Sequence, residues 1–394
     1  MEKLYVVGQG PGGAAPLAGT AGEAINKSRR VLNSRETPLP DLLRELKRAG
    51  MGDTAVLVSG DCGFFSIAKT IVRDYSALYD IELIPGISSV SYLSAKIKTA
   101  YDDAVCVSLH GRAVDIVGKT AYNRKIFALT GGENSVRAIC GRLDRCGLGG
   151  VRVTVGERLS FPDERIISGT AAEFSSMDFD DLSVMYIENP DAADPRAPLG
   201  DGDFIRGGVP MTKEDIRWLS IRKLGVMPGD IVYDIGAGTG SVSVELARAA
   251  VDGFVYAIET KEEACDLIRQ NAARHGAYNM EIVRGKAPEA MSGLSAPDKA
   301  FIGGSSGNMD GIVGALLSMN RSVKIVANAV TLQTLNQVTE SYKIRGLTDV
   351  EIMCVNIAKT KKAGAYDMMT AQNPVYIISG AGDPAIAAGE NAYE

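Results

Sequence analysis

Short apolar runs punctuate the whole chain. In the first half they fall at 4–7, 55–58, 104–107, 125–129, 151–155 and 182–186, spaced as strands of an α/β fold. Seven more begin near Ile231, Phe254, Met280, Lys299, Val323, Glu351 and Val375. Helix-like segments separate the first five of these seven, which predicts a doubly wound parallel sheet. The last two are separated only by a turn region, which predicts an antiparallel hairpin at one edge. Between the halves, residues 189–208 (NPDAADPRAPLGDGDFIRGG) interrupt every period with three prolines and several glycines and aspartates. The pattern predicts a domain over 1–190, a largely solvated linker over 191–208 and a second domain over 209–394.

Composition narrows the class. A chain of 394 residues exceeds one ordinary core, so two domains are expected. A charged fraction of 23%, a hydrophobic fraction of 45% and a net charge of −6 describe a globular protein without a general basic surface. No nucleic-acid partner is therefore expected. No apolar run reaches membrane-spanning length, and Met1, Glu2 and Lys3 lead into a strand without a signal-peptide pattern, so no membrane partner is expected. The six cysteines form no C-x-x-C pair, and His110 and His275 are the only histidines. That set predicts no metal site and suits a reducing cytoplasm.

The candidate chemistry centres on glycine turns. Asp234, Ile235, Gly236, Ala237, Gly238, Thr239 and Gly240 follow one strand-like run and precede a helix-like stretch over 242–250. A strand, a glycine turn and a helix make a nucleotide-binding corner. Ser241 occupies the position of a dinucleotide fold's third glycine, which turns the reading from a nicotinamide cofactor to S-adenosylmethionine. Glu259 closes the next apolar run, where a carboxylate can accept ribose hydroxyls. The first half carries three further turns, GQGPG (8–12), SGDCGFFS (59–66) and IPGISS (84–89), which place backbone amides and Asp61 around one crevice.

With VSLHGR (107–112), LTGGENS (129–135) and VGERLSFPDERI (155–166), these turns resemble the tetrapyrrole methylases of cobalamin and sirohaem synthesis, in the branch that methylates carbon 5 of a precorrin ring. Cys62 departs from that pattern, standing where the family usually has proline. The second half is similar to the decarboxylating carbon-15 methyltransferases of the same synthesis, through PMTK (210–213), DIGAGTG, RGKAPE (284–289), FIGG (301–304) and ANAVT (327–331). The resemblance implies a two-subdomain tetrapyrrole-methylase α/β fold followed by a Rossmann-like class I methyltransferase with a seven-stranded sheet. It implies one S-adenosylmethionine per domain, a tetrapyrrole substrate and a homo-oligomer. Implied cofactor contacts are Gly8, Gly10, Pro11, Gly12, Gly60, Asp61, Ser88 and Ser89 in the first domain. In the second they are Thr212, Asp234, Gly236, Ala237, Gly238, Thr239, Gly240, Glu259 and Ala287. Two residues depart from the pattern: Lys286 cannot accept from an adenine amino group, and Gln333 stands where the family often has glutamate.

A substrate with many carboxylates calls for cations. Candidate substrate contacts are His110, Arg112, Arg206, Lys213 and Asn328, with Arg217 a further cation on the same stretch as Lys213. Each cation also reads as a solvated surface charge, and His110 as a structural histidine. Thr212 reads as a helix N-cap with Asp215 at the third helical position, as a cofactor contact, or as both. Methyl transfer from a sulfonium requires positioning rather than a covalent nucleophile, and no general base is assigned. The alternatives are a second half that methylates RNA or protein, a nicotinamide oxidoreductase, and one domain turned into a docking module. Neither a basic face nor an N-P-P-[YF] motif supports the first of these.

Overall fold

The apolar run at 4–7 becomes the centre of β1 (Glu2–Gly8), flanked in parallel by β3 (Thr54–Val58) and β4 (Tyr79–Ile84), with β2 (Arg30–Asn33) beyond β3. Alternate residues of β1 feed opposite cores. Leu4 and Val6 pack with Val56 and Val58, while Tyr5 and Val7 pack with Ala55 and Ile84. The computed structural model describes residues 1–12, 19–48, 50–109 and 115–385. A second sheet joins β5 (Val105–Ser108), β6 (Lys125–Leu129), β9 (Ser183–Glu188), β7 (Arg152–Glu157) and β8 (Arg165–Thr170), in that spatial order. Only β5 and β6 run parallel in it. Phe127 and Tyr186 stack across β6 and β9, ring centroids 4.7 Å apart.

Strands β2, β4 and β8 escaped the apolar pattern because each is partly exposed and carries polar residues that break or shorten its apolar run. Pairing to neighbours, rather than hydrophobicity, makes them strands.

The seven-stranded sheet runs β12 (Met280–Arg284), β11 (Phe254–Glu259), β10 (Ile231–Ile235), β13 (Lys299–Ile302), β14 (Lys324–Ala329), β18 (Val375–Ala381) and β15 (Thr348–Val355). The first five are parallel, and β18 is antiparallel to both its neighbours. All seven runs expected beyond residue 208 are therefore strands of one sheet. One correction concerns the connection before β18. In place of a bare turn region it holds a hairpin, β16 (Ala358–Ala363) with β17 (Tyr366–Ala371), every residue of which is exposed. Its sequence is polar enough that no apolar period marked it.

Contacts gather the chain into two units. One comprises Met1–Val114, Asn123–Arg145 and Gly149–Pro190; the other comprises Asp115–Tyr122, Cys146–Leu148 and Asp191–Glu394. The stretch read as a solvated linker is instead packed. Leu199 and Phe204 are buried in the second unit's core. Arg248 donates to the carbonyls of Asp194 and Ala197, and Asn271 Oδ1 accepts the Ile205 N–H at 2.7 Å. Among the described residues no helix is long and apolar enough to cross a membrane, and no group of His, Cys, Asp and Glu is disposed to hold a metal.

Candidate active sites

In the first unit the three glycine turns converge. Gly10 and Gly60 exchange backbone hydrogen bonds of 3.1 and 2.7 Å. A Cβ on Gly8 would lie 2.6 Å from the Gly86 nitrogen, so the first and third turns touch backbone to backbone. Asp61 ties the second turn to the third: Oδ1 accepts the Gly63 N–H at 2.7 Å and Oδ2 the Gly86 N–H at 3.0 Å. Ser88 caps the helix Ser89–Ile97 by accepting the Ser91 N–H at 3.0 Å.

These turns wall a cavity of about 630 Å³. Pro11, Gly60, Asp61, Ser88 and Ser89 line it, whereas Gly8, Gly10 and Gly12 shape the wall without lining it. Gly12 packs against the Phe161 ring. The reading from sequence missed Phe64, Phe65, Thr130 and Asp181 in the same wall. It also missed Arg35, which donates to the Gly10 carbonyl at 2.6 Å and the Ser59 hydroxyl at 3.2 Å. Phe64, Phe65 and Thr130 lie within the SGDCGFFS and LTGGENS motifs, whereas no motif marks Arg35 or Asp181. His110 and Arg112 lie outside the described residues.

In the second unit, strand order reverses about β10, which has β11 on one side and β13 on the other, and ligands of such sheets bind at that switch point. The glycine turn leaves β10 there. Gly236 has φ of +76°, and a Cβ on it would lie 2.7 Å from the Gly304 nitrogen. Gly240 N-caps the helix Ser241–Ala249 in the left-handed region. Glu259 Oε2 accepts the Gly238 N–H at 2.9 Å, while Oε1 takes the N–H groups of Thr260 (2.7 Å) and Lys261 (3.0 Å) and the Thr260 hydroxyl (3.1 Å). This leaves one lone pair, on Oε2, for a ligand hydroxyl. Burial favours the protonated carboxyl, but the N–H groups of Lys261, Gly238 and Thr260 outweigh it and hold Glu259 below the usual glutamate value. Ala287 is buried in the core that also holds Ile258, and Lys286 and Gln333 are exposed.

Two orphaned polar atoms stand beside the turn. Asp234 is fully buried; its Oδ2 accepts the Ser243 hydroxyl and its Oδ1 has no partner. Thr239 is buried with its hydroxyl unsatisfied. A close-approach glycine cradle with unspent acceptors fits S-adenosylmethionine, whose ammonium and hydroxyls are donors.

Burial, reinforced by the nearby Glu259 charge and opposed by the Ser243 hydrogen bond, raises the Asp234 carboxyl to about 7. The unfolded chain ionises Asp234 near the ordinary aspartate value, so stability is lost as pH rises from there through the folded value. The full loss is at most about 4 kcal/mol, at about 1.36 kcal/mol per unit. Urea midpoints followed through Trp218, the single tryptophan and a second-unit residue, should show it. Wild type and Asp234→Asn are expected to match below about pH 4 and to diverge progressively up to about pH 8 in favour of the variant. Parallel profiles would refute the assignment.

The cations divide. Arg217 is fully buried and is not available to a substrate. It donates to Glu245 (3.1 Å), Asp201 (3.4 Å), the Thr212 carbonyl (3.0 Å) and the Leu199 carbonyl (2.8 Å), and stacks on Phe204. Arg206 and Lys213 are half-exposed, each 4.0 Å from Asp201. Asn328 Oδ1 accepts the Ser220 hydroxyl at 3.1 Å. Thr212 does not cap its helix. The N-cap of Glu214–Leu224 is Lys213, with no side-chain cap bond, and Asp201 accepts the Glu214 N–H at 2.9 Å. A carboxylate from upstream does what a local hydroxyl was expected to do.

Two glycine-turn sites on two different α/β folds define a double methyltransferase. Residues 203–380 match the "Precorrin methyltransferase domain" family and residues 41–175 the "Tetrapyrrole (Corrin/Porphyrin) Methylases". A Sinorhizobium relative, precorrin-6Y C(5,15)-methyltransferase (decarboxylating), is 32% identical over 303 residues, covering 75% of this chain and 72% of its own length. A Pyrobaculum calidifontis protein named "Probable cobalt-precorrin-6B C(15)-methyltransferase (decarboxylating)" is 41% identical over 174 residues, covering 44% of this chain and 89% of its own. A crystal structure of precorrin-6Y C5,15-methyltransferase from Geobacter metallireducens is 36% identical, covers 47% of this chain and 96% of its own, and has a TM-score of 0.45. The chain belongs to the precorrin-6Y C(5,15)-methyltransferase family of decarboxylating, S-adenosylmethionine-dependent enzymes.

Proposed function

We propose that the first unit methylates carbon 5, and the second carbon 15, of precorrin-6Y or its cobalt form. The second reaction removes carbon dioxide from the ring-C acetate and gives precorrin-8. The observation that carries this reading is a separate glycine-turn corner in each unit, each with an acidic side chain hydrogen-bonded into the turn. S-Adenosylmethionine supplies a methyl group already activated on a sulfonium. The chain's own task is then position. In the first unit Asp61 fixes two turns around the cavity. In the second, Gly236 and Gly238 let the backbone reach the donor, Glu259 offers an acceptor to a ribose hydroxyl, and Asp234 offers one to a cation. Arg206 and Lys213 are free enough to meet substrate carboxylates.

Six free cysteines support a reducing, cytoplasmic setting. The net charge of −6 supports a small-molecule rather than a nucleic-acid partner. The exposed hairpin β16–β17, with Tyr366 at 76% and Met369 at 64% exposure, supports a homo-oligomer joined there. Light scattering is expected to give a multiple of the chain mass, and Tyr366→Lys with Met369→Lys a lower one. An unchanged mass would remove the hairpin from the interface.

The activity test is mass spectrometry of the product from enzyme, S-adenosylmethionine and metal-free precorrin. Two methyl groups gained with one carbon dioxide lost is the expected outcome. One methyl gained without decarboxylation would reduce the second unit to a docking module. If nothing reacts, the cobalt-loaded ring is tried next, and failure there too would overturn the corrin assignment.

A further inference from the structure

Among the described residues, Asp61 and Asp181 supply the charged side chains in the wall of the first unit's cavity. Both are carboxylates, yet the substrate of this family is itself rich in carboxylates. Asp61 is partly engaged: each of its oxygens accepts one backbone N–H and keeps one lone pair. Asp181 differs. It makes no hydrogen bond or ion pair with a described residue, although everything around it is fixed. The Asp180 N–H donates to Glu157 Oε1 at 2.7 Å, and the Leu182 N–H to Asp180 Oδ1 at 2.8 Å. The Arg158 N–H donates to the Leu182 carbonyl at 2.9 Å. The turn before β9 is therefore held by hydrogen bonds on either side of Asp181, an exposed residue in the cavity wall.

A carboxylate in the cavity wall without a partner among the described residues gains from a ligand's donor and repels a ligand's carboxylate. Of the two ligands the first unit must bind, the methyl donor is the one that brings cations and N–H and O–H donors. We propose that Asp181 is a binding residue of the first-unit site, accepting a hydrogen bond from S-adenosylmethionine and keeping substrate carboxylates away from that part of the cavity. The inference rests on the reading of this cavity as the first unit's methyl-donor site. Two parts of the molecule carry suitable donors: the methionine ammonium, and the nucleoside with its adenine amino group and ribose hydroxyls.

The test is calorimetric titration of the full chain carrying Gly236→Val, which silences the second site, with and without Asp181→Asn. The parent is expected to bind one equivalent of S-adenosylmethionine. Asp181→Asn should weaken it about tenfold, the loss of one charge-assisted hydrogen bond, and Asp181→Glu should recover part of the loss. Titration with 5′-methylthioadenosine, which lacks the amino-acid moiety, then distinguishes the donors. A penalty that disappears assigns Asp181 to the ammonium, and one that persists assigns it to the nucleoside. Equal affinity of Asp181→Asn and its parent for S-adenosylmethionine would overturn the inference. If the parent itself bound none, the reading of the cavity would fail first.

Discussion

Replacing Gly236 with valine is expected to abolish carbon-15 methylation and decarboxylation while leaving carbon-5 methylation intact. Two independent constraints meet at this position. Its φ of +76° is a conformation that L residues avoid, at about 1–2 kcal/mol for an ordinary side chain and more for a β-branched one. A Cβ would also stand 2.7 Å from the nitrogen and 2.8 Å from the oxygen of Gly304, which belong to the backbone and cannot rotate away. The turns after β10 and β13 would be forced apart at the point where the sheet's ligand crevice opens. The product is expected to carry one added methyl group and every carboxylate of the substrate, and calorimetry should fall from two equivalents of S-adenosylmethionine to one. Far-ultraviolet circular dichroism close to wild type would show that the loss is local. Retained decarboxylation would separate the glycine turn from the second site altogether.

Arg217→Met is expected to destabilise the second unit by about 3–5 kcal/mol, the usual cost of removing one partner from a buried ion pair. The side chain has no solvent exposure and faces Asp201 and Glu245, which are mostly buried themselves. Its loss would leave those charges and the Leu199 and Thr212 carbonyls without their donor. Arg217→Lys should recover only part, because an ammonium cannot reproduce a planar fork that serves four acceptors and lies on the Phe204 ring. Urea unfolding followed by the fluorescence of Trp218, the next residue of the same helix, measures both. A loss below about 1 kcal/mol, the worth of an exposed pair, would mean that Arg206 and Lys213 compensate at Asp201.

Arg217 also shows where reading a sequence stops. Beside Lys213 it looked like a surface cation that a carboxylated substrate could use. Burial depends on what lies opposite, and the opposing groups come from Leu199, Asp201 and Glu245, positions that no local pattern joins to it. The same holds for the stretch 191–208. Prolines and aspartates suggested a solvated tether, but Leu199, Phe204 and Ile205 have partners in the second unit that a composition count cannot see. Thr212 is a milder case. The helix start was displaced by one residue because Asp201, distant in sequence, supplies the cap.

The glycine corners were legible for the opposite reason. A turn that brings backbone next to backbone needs glycine wherever it occurs, so its spacing survives as a local signal at Gly8, Gly86 and Gly236. The central strands of the seven-stranded sheet, such as β10 and β11, are likewise legible because burial makes them largely apolar, and the exposed edge strand β15 also appeared as a run. The sequence alone therefore determined the two α/β halves, the glycine turns and the acidic residues Asp61, Asp234 and Glu259 placed at them. Tertiary structure alone decided which cations are buried, how many acceptors Glu259 keeps free, and that Asp181, in the wall of the first cavity, has no partner among the described residues. The physical reason is range. Backbone conformation and strand hydrophobicity are fixed by neighbours along the chain, whereas the state of a charge is fixed by whichever groups the fold brings to it.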